Sequence, residues 1–183
     1  MLKRIAITGP ESTGKSQMAE KLARHYNTVF VPEIARDYID QLNRPYSQDD
    51  ILQIAKKQLK LEEETTKQAN ELLFCDTEFL VTKIWSEHKY NNCPSWIEEK
   101  FRKHFYDLYL LMDIDLPWQP DPQREHPHLR KFFFDWYYKE LDQQGFRFEV
   151  VSGQGEDRLK NAIRIVDGFL GGVSCPEIGL QKK

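Results

Sequence analysis

Cysteine is scarce in this chain: Cys75, Cys93 and Cys175 are the three among 183 residues. They lie far apart and form no C-x-x-C pair, which argues against a disulfide framework and against a zinc site, leaving buried or incidental thiols. Long apolar runs are missing as well. No segment approaches the roughly 18 residues that a membrane helix needs, and the opening MLKRIAI carries too short an apolar run before Thr8 to act as a secretory leader. Neither sign of charge dominates, since 26 Lys and Arg face 29 Asp and Glu for a net charge of -3, and nucleic acid is therefore not favoured as the main partner. There is no internal repeat and no composition break that would mark a second domain. These absences leave a single domain, with cytoplasmic location expected, no membrane or nucleic-acid partner, and a homo-oligomer left open.

What is present is concentrated near the start. Gly9-Pro10-Glu11-Ser12-Thr13-Gly14-Lys15-Ser16 fits the phosphate-loop pattern G-x-x-x-x-G-K-[ST] at every defined position. Glycines let the backbone curl so that its N–H groups face phosphate oxygens, and the following helix adds its positive end. Lys15 would reach the β- and γ-phosphates, and the Ser16 hydroxyl would ligate Mg²⁺. The apolar run Ile5-Ala6-Ile7 before the loop reads as a buried strand, and Met18, Ala19, Leu22 and Ala23 after it recur at helical spacing.

The rest of the chain continues the alternation. Thr28 to Val31 reads as a second strand ended by Pro32, with Glu33 at its carboxyl end, where ligands bind in open α/β sheets. The segment Glu33 to Tyr38 starts a helix that brings Glu33, Arg36 and Asp37 within a turn of each other. There Glu33 can orient or deprotonate an acceptor hydroxyl and Arg36 can hold an anionic group. Ser47 and Asp50 form a carboxylate variant of the capping box, opening a helix whose apolar stripe fades into a solvated charged face from Glu62 to Lys67. Leu72 to Thr77 is an apolar run ending in Asp76, the arrangement by which a strand-end aspartate approaches Mg²⁺, directly or through water. Glu78 either assists it or answers the dipole of the next helix. That helix, Phe79 to His88, carries Trp85, which is either a stacking surface for a planar base or a core residue. A further helical segment runs from Pro94 to His104; His88 and His104 read as surface or packing residues.

A strand over Leu108 to Met112 precedes a proline-rich stretch from Asp115 to Pro127 that excludes regular structure. Its length fits a lid spanning about 115–130, from which Arg124 and Arg130 would close over a transferring phosphoryl group. Helix, strand and turn follow over Phe132–Leu141, Phe146–Val151 and Ser152–Gly155, and Gly153 and Gln154 in that turn are placed to touch an adenine. A last helix from Glu156 to Leu170 ends at Gly171-Gly172, leaving residues 173–183 as a loosely docked tail. Five strands alternating with helices predict a three-layer α/β/α sandwich on a parallel sheet, a P-loop NTPase of the nucleoside or nucleotide kinase kind occupying residues 1–172.

The candidate sites follow. Catalysis falls to Lys15, Glu33, Asp76 and Arg124. ATP contacts fall to Gly9, Glu11, Ser12, Thr13, Gly14, Lys15, Ser16 and Gln17, with Arg124, Gly153 and Gln154. The acceptor would meet Glu33, Arg36, Asp76 and Trp85, and Mg²⁺ would meet Ser16 and Asp76. These parts suit ATP-dependent phosphoryl transfer to a small hydroxyl acceptor. A regulatory switch that binds ATP without transferring phosphate is the reading from another class. Guanine nucleotides are disfavoured because no N-K-x-D signature occurs.

Several blocks narrow the substrate. GPESTGKS at Gly9–Ser16, EIARDY at Glu33–Tyr38, RPYSQDD at Arg44–Asp50, FCDTEFLVTKIWSEHKY at Phe74–Tyr90 and YDLYLLMDIDLPWQPDPQRE at Tyr106–Glu125 resemble the nicotinamide riboside kinase domain of NadR-type proteins. The resemblance implies phosphorylation of the ribosyl 5′-hydroxyl of nicotinamide riboside, giving nicotinamide mononucleotide for NAD salvage. Another nucleoside or small alcohol would use the same machinery with a different pocket. The adenylyltransferase and helix-turn-helix domains that often precede such a kinase are not expected here, since the loop begins at Gly9 and no H-x-G-H motif occurs. Family members carry a tryptophan just before the Glu33 position; this chain has Pro32, which turns attention to Trp85 or Trp118 as the base platform.

Overall fold

The computed structural model describes residues 1–103 and 106–171. Cys175, His104, Gly172 and the expected tail over 173–183 lie outside the described residues. Five parallel strands, β1 (Lys3–Thr8), β2 (Val29–Val31), β3 (Leu72–Asp76), β4 (Leu108–Met112) and β5 (Phe148–Val151), form one sheet in the order β2-β3-β1-β4-β5. Parallel strands require crossover connections, and helices lie between every two consecutive strands of the chain. Helices α1 (Lys15–His25), α2 (Ala35–Asp40), α3 (Gln48–Thr66), α4 (Phe79–Tyr90), α5 (Ser95–Lys103), α6 (Arg130–Gln143) and α7 (Gly155–Leu170) supply the outer layers, and a 3₁₀ turn covers Pro127–Leu129.

Alternation along each strand sorts the core into two halves. Ile5, Ile7, Leu72, Phe74, Leu108, Leu110 and Met112 pack on one face against α1 and α7, through Met18, Leu22, Ala162 and Val166. Ala6, Leu73, Cys75, Tyr109 and Leu111 point to the other face, where α3, α4, α5 and α6 contribute Ile51, Leu80, Ile84, Ile97 and Leu141. Because both faces are covered, strands β3 and β4 are buried along their whole length and read as unbroken apolar runs. Each fully buried Leu or Ile contributes about 1.5–3 kcal/mol.

The element boundaries match the sequence reading closely, with two instructive differences. Glu33 lies before α2, which starts at Ala35, so it belongs to the loop leaving β2. Glu62, expected on a solvated face, is 3% exposed, accepting a 2.7 Å hydrogen bond from the Tyr106 hydroxyl and pairing with Arg4. Two partners distant in sequence let a carboxylate enter the core. The capping box at α3 forms: the Ser47 N–H donates to the Asp50 carboxylate at 2.7 Å. Arg44 pairs with the same carboxylate and, with the Ser47 donors, holds it well below the usual carboxylate range.

No helix among the described residues is long and apolar enough to cross a membrane.

Candidate active site

The carboxyl ends of β1, β2 and β3 meet, and each delivers one chemical part. Register places Asp76 beside Ile7 and Cys75 beside Val31, so the residues just beyond these strands are brought together: the loop from Gly9, Glu33 and Asp76. The loop departs from ordinary backbone at Gly9, with φ of 130°, at Ser12, with 58°, and at Gly14, the residue capping α1, with 77°. A Cβ at Gly9 would meet the Met112 carbonyl oxygen at 3.0 Å, so both conformation and space demand glycine there. The Lys15 ammonium donates to the carbonyls of Gly9 and Pro10 at 3.0 and 2.9 Å, and the Thr13 hydroxyl to Pro10 at 2.8 Å.

Asp76 sits 1% exposed behind this loop, and neither of its oxygens accepts a well-aligned hydrogen bond. Burial first, and then the charge of Glu33, push its carboxyl up to about 6; Ser16, Lys15 and the Glu33 backbone stand near enough to oppose the rise. An oxygen pair this short of donors fits a cation. Glu78 resolves to the second of its two readings. It caps α4, accepting from the Leu80 N–H at 2.5 Å, and it also accepts from the Thr8 hydroxyl at 2.8 Å; burial pushes its carboxyl up to about 7.

The proline-rich stretch carries no helix or strand between Met112 and Pro127 and is tied to α2 and to the phosphate loop. Arg36 Nη1 donates to both Asp121 oxygens at 2.9 Å, so this cation is committed to the lid stretch. Gln123 reinforces the junction by donating to Asp40 at 2.5 Å. Arg124 donates to the Gln119 carbonyl at 2.6 Å, and the Gln119 N–H donates to the Ser12 hydroxyl at 2.9 Å. Arg130, expected to close on phosphate, instead donates to the carbonyls of Leu116 and Ser12 at 2.8 and 3.2 Å and does not line the cavity.

The cavity measures about 830 Å³ and opens to solvent on one side. Gly9, Glu11, Ser12, Thr13, Gly14, Lys15, Ser16, Gln17, Glu33, Arg36, Trp85 and Arg124 all line it. Asp76, Gly153, Gln154 and Trp118 are not on its wall; the turn carrying Gly153 faces Asp115 instead, whose carboxylate accepts its N–H at 2.5 Å. Sequence reasoning missed the aromatic end of the cavity, made by Tyr46, His88, Phe133 and Tyr137 with Trp85. Trp85 Nε1 donates to the Tyr46 hydroxyl at 3.0 Å, and the two rings meet edge to face at 5.0 Å. His88 packs edge to face on His126 and Phe133, and burial together with His126 draws its pKa down. These contacts join four elements distant in sequence, so no local pattern announced them.

A five-stranded parallel sheet in the order 2-3-1-4-5, a phosphate loop after its central strand and acids at the ends of β3, beside that strand, and of β2, one strand further out, define a P-loop protein of the nucleoside-kinase fold. The chain belongs to the AAA domain family, whose match spans residues 4–158. It is 27% identical over 179 residues to the trifunctional NAD biosynthesis/regulator protein NadR of Escherichia coli K12, an alignment covering 93% of this chain and 43% of that protein. The chain thus spans less than half the length of this relative. Among solved structures it is similar to the NadR protein in complex with NR, with a TM-score of 0.76, 21% identity, and coverage of 97% of this chain and 53% of the other. The NadR protein in complex with NAD and AMP-PNP is similar at a TM-score of 0.74 and 22% identity, over 97% of this chain and 52% of the other.

Proposed function

We propose that the chain transfers the γ-phosphoryl group of ATP to the ribosyl 5′-hydroxyl of nicotinamide riboside. The observation that carries this reading is a cavity lined together by a phosphate loop, Glu33 and an aromatic end. The likeness to NadR, a protein named for NAD biosynthesis and solved with NR, supports the choice of nucleoside.

In this mechanism the loop's N–H groups and Lys15 hold the β- and γ-phosphates. Lys15 already reaches the loop interior, and an anionic phosphate is a stronger acceptor than the neutral carbonyls of Gly9 and Pro10. Glu33, at the mouth of β2, orients the 5′-hydroxyl and accepts its proton as the bond to phosphorus forms. Trp85 and Tyr46 border the space for the flat base. Arg124, carried on the lid formed by residues 115–130, neutralises charge on the transferring group, and the docked lid excludes water as a competing acceptor. Ser16 and Asp76 offer the oxygen donors that Mg²⁺ prefers, and the bound ion would supply further neutralisation of the phosphates.

An acceptor panel tests the proposal. Purified protein with Mg-ATP is offered nicotinamide riboside, common ribo- and deoxyribonucleosides and small alcohols, and products are read by mass spectrometry. Conversion of nicotinamide riboside to its mononucleotide, in preference to the others, is the expected result. ATP bound but no acceptor phosphorylated would leave a switch in place of a kinase.

A further inference from the structure

We propose that Arg158 is a positioning residue of the phosphate loop, aiming the loop's N–H groups at nucleotide phosphates by holding a loop carbonyl from behind. The side chain lies in the first turn of α7 and is 4% exposed. Its Nη2 donates to the Thr13 carbonyl at 3.2 Å and to the Asp113 carbonyl at 2.8 Å. Its Nη1 donates to the Gly153 carbonyl at 3.0 Å and pairs with the Asp115 carboxylate. One buried cation therefore joins the phosphate loop, the end of β4, the root of the lid and the turn before α7.

The geometry explains why this matters for a ligand that Arg158 never touches. A trans peptide is planar, with its C=O and N–H on opposite sides. Fixing the Thr13 carbonyl outward turns the Gly14 N–H inward, and Arg130 does the same from the Ser12 carbonyl for the Thr13 N–H. Neither N–H has a hydrogen-bond partner among the described residues. Two donors are thus held ready by two arginines on the far side of the same peptide planes. Preorganised donors lose no reorganisation energy when an anion arrives. The guanidinium fork makes these bonds in fixed directions, which an ammonium group does not reproduce. Nothing in the phosphate-loop motif itself requires an arginine at this distance in sequence.

The inference rests on the loop being a triphosphate site, and the test separates the two. Arg158→Lys and Asp115→Asn proteins are compared with the unaltered protein by fluorescence titration with ATP and ADP. The KM values for ATP and for nicotinamide riboside, and thermal unfolding, are measured alongside. Arg158→Lys is expected to weaken ATP and ADP binding by about ten- to a hundredfold, the scale of lost bonds to a charged group. The acceptor KM should stay within about twofold. Asp115→Asn, which removes the counter-ion from an exposed position and leaves the carbonyl bonds, should shift ATP affinity in the same direction by less. ATP affinity unchanged in Arg158→Lys overturns the proposal, as does a parallel rise of both KM values. Should Arg158→Lys fail to fold, Asp115→Asn decides, and unaltered ATP affinity there overturns it. Unaltered protein that does not bind ATP defeats the site reading itself, whereas unaltered protein that binds ATP while the variants bind equally well defeats the role of Arg158 alone.

Discussion

Glu33 and Asp76, from neighbouring strands, stand close enough that the charge of one helps push the carboxyl of the other up to about 6. The sheet creates this proximity: β2 and β3 are hydrogen-bonded neighbours, and both acids lie at or beyond their carboxyl ends. Asp76, buried and short of donors, is costly to keep charged beside that second acid, and a cation or a proton offsets the cost.

That cost gives a stability prediction with a definite sign. Asp76 and Glu78 both have carboxyls raised in the fold, to about 6 and about 7. Stability on their account is fully present below about pH 4, where the unfolded chain's carboxyls are protonated too, and is lost as pH rises through those folded values. Urea unfolding should therefore show lower stability near pH 7.5 than near pH 5. Asp76→Asn should recover about 2–3 kcal/mol at the higher pH, the size of a two-unit shift, while losing phosphoryl transfer. A variant no more stable than the unaltered protein at pH 7.5 would show that the buried charge is already compensated.

Gly9→Ala tests the loop directly. The new methyl would sit 3.0 Å from the Met112 carbonyl oxygen, on a residue with φ of 130°. We expect a loss of about 1–3 kcal/mol in chemical denaturation and weakened ATP binding in titration. Full retention of both would mean that the loop has another conformation available to it.

Arg36 gives the lid its main tie to α2, through Asp121. Arg36→Ala should let water reach the transferring group, raising ATP hydrolysis relative to transfer by several-fold when ADP and product are quantified together. An unchanged ratio would assign water exclusion to other lid contacts, such as Gln123 to Asp40.

Much of this site was legible in the sequence because its parts are local. The phosphate loop is contiguous, and Glu33 and Asp76 announce themselves as acids ending apolar runs. The sandwich followed from strand and helix alternation. What the sequence withheld depends on contacts between distant segments. Arg130 reads as a lid cation for a phosphoryl group, and Arg158 carries no signal of its own, until the fold sets them behind the Ser12 and Thr13 carbonyls. Glu62 sits in a run of charges, and its burial depends on Tyr106, 44 residues away. Arg36 has the character of an anion-binding residue and is one, but the anion it holds is Asp121 of the same chain. Tyr46 and His88 have no pattern of their own and become the aromatic end of the cavity through Trp85 and Phe133.

The most direct measurement is a rapid-quench single turnover of phosphoryl transfer from ATP to nicotinamide riboside, by the unaltered and Glu33→Gln proteins, with ATP affinity determined in parallel. If an acid at the end of β2 presents the hydroxyl, the substitution slows transfer by about a hundred- to ten-thousandfold and leaves ATP affinity where it was. Equal transfer rates in the two proteins would contradict it.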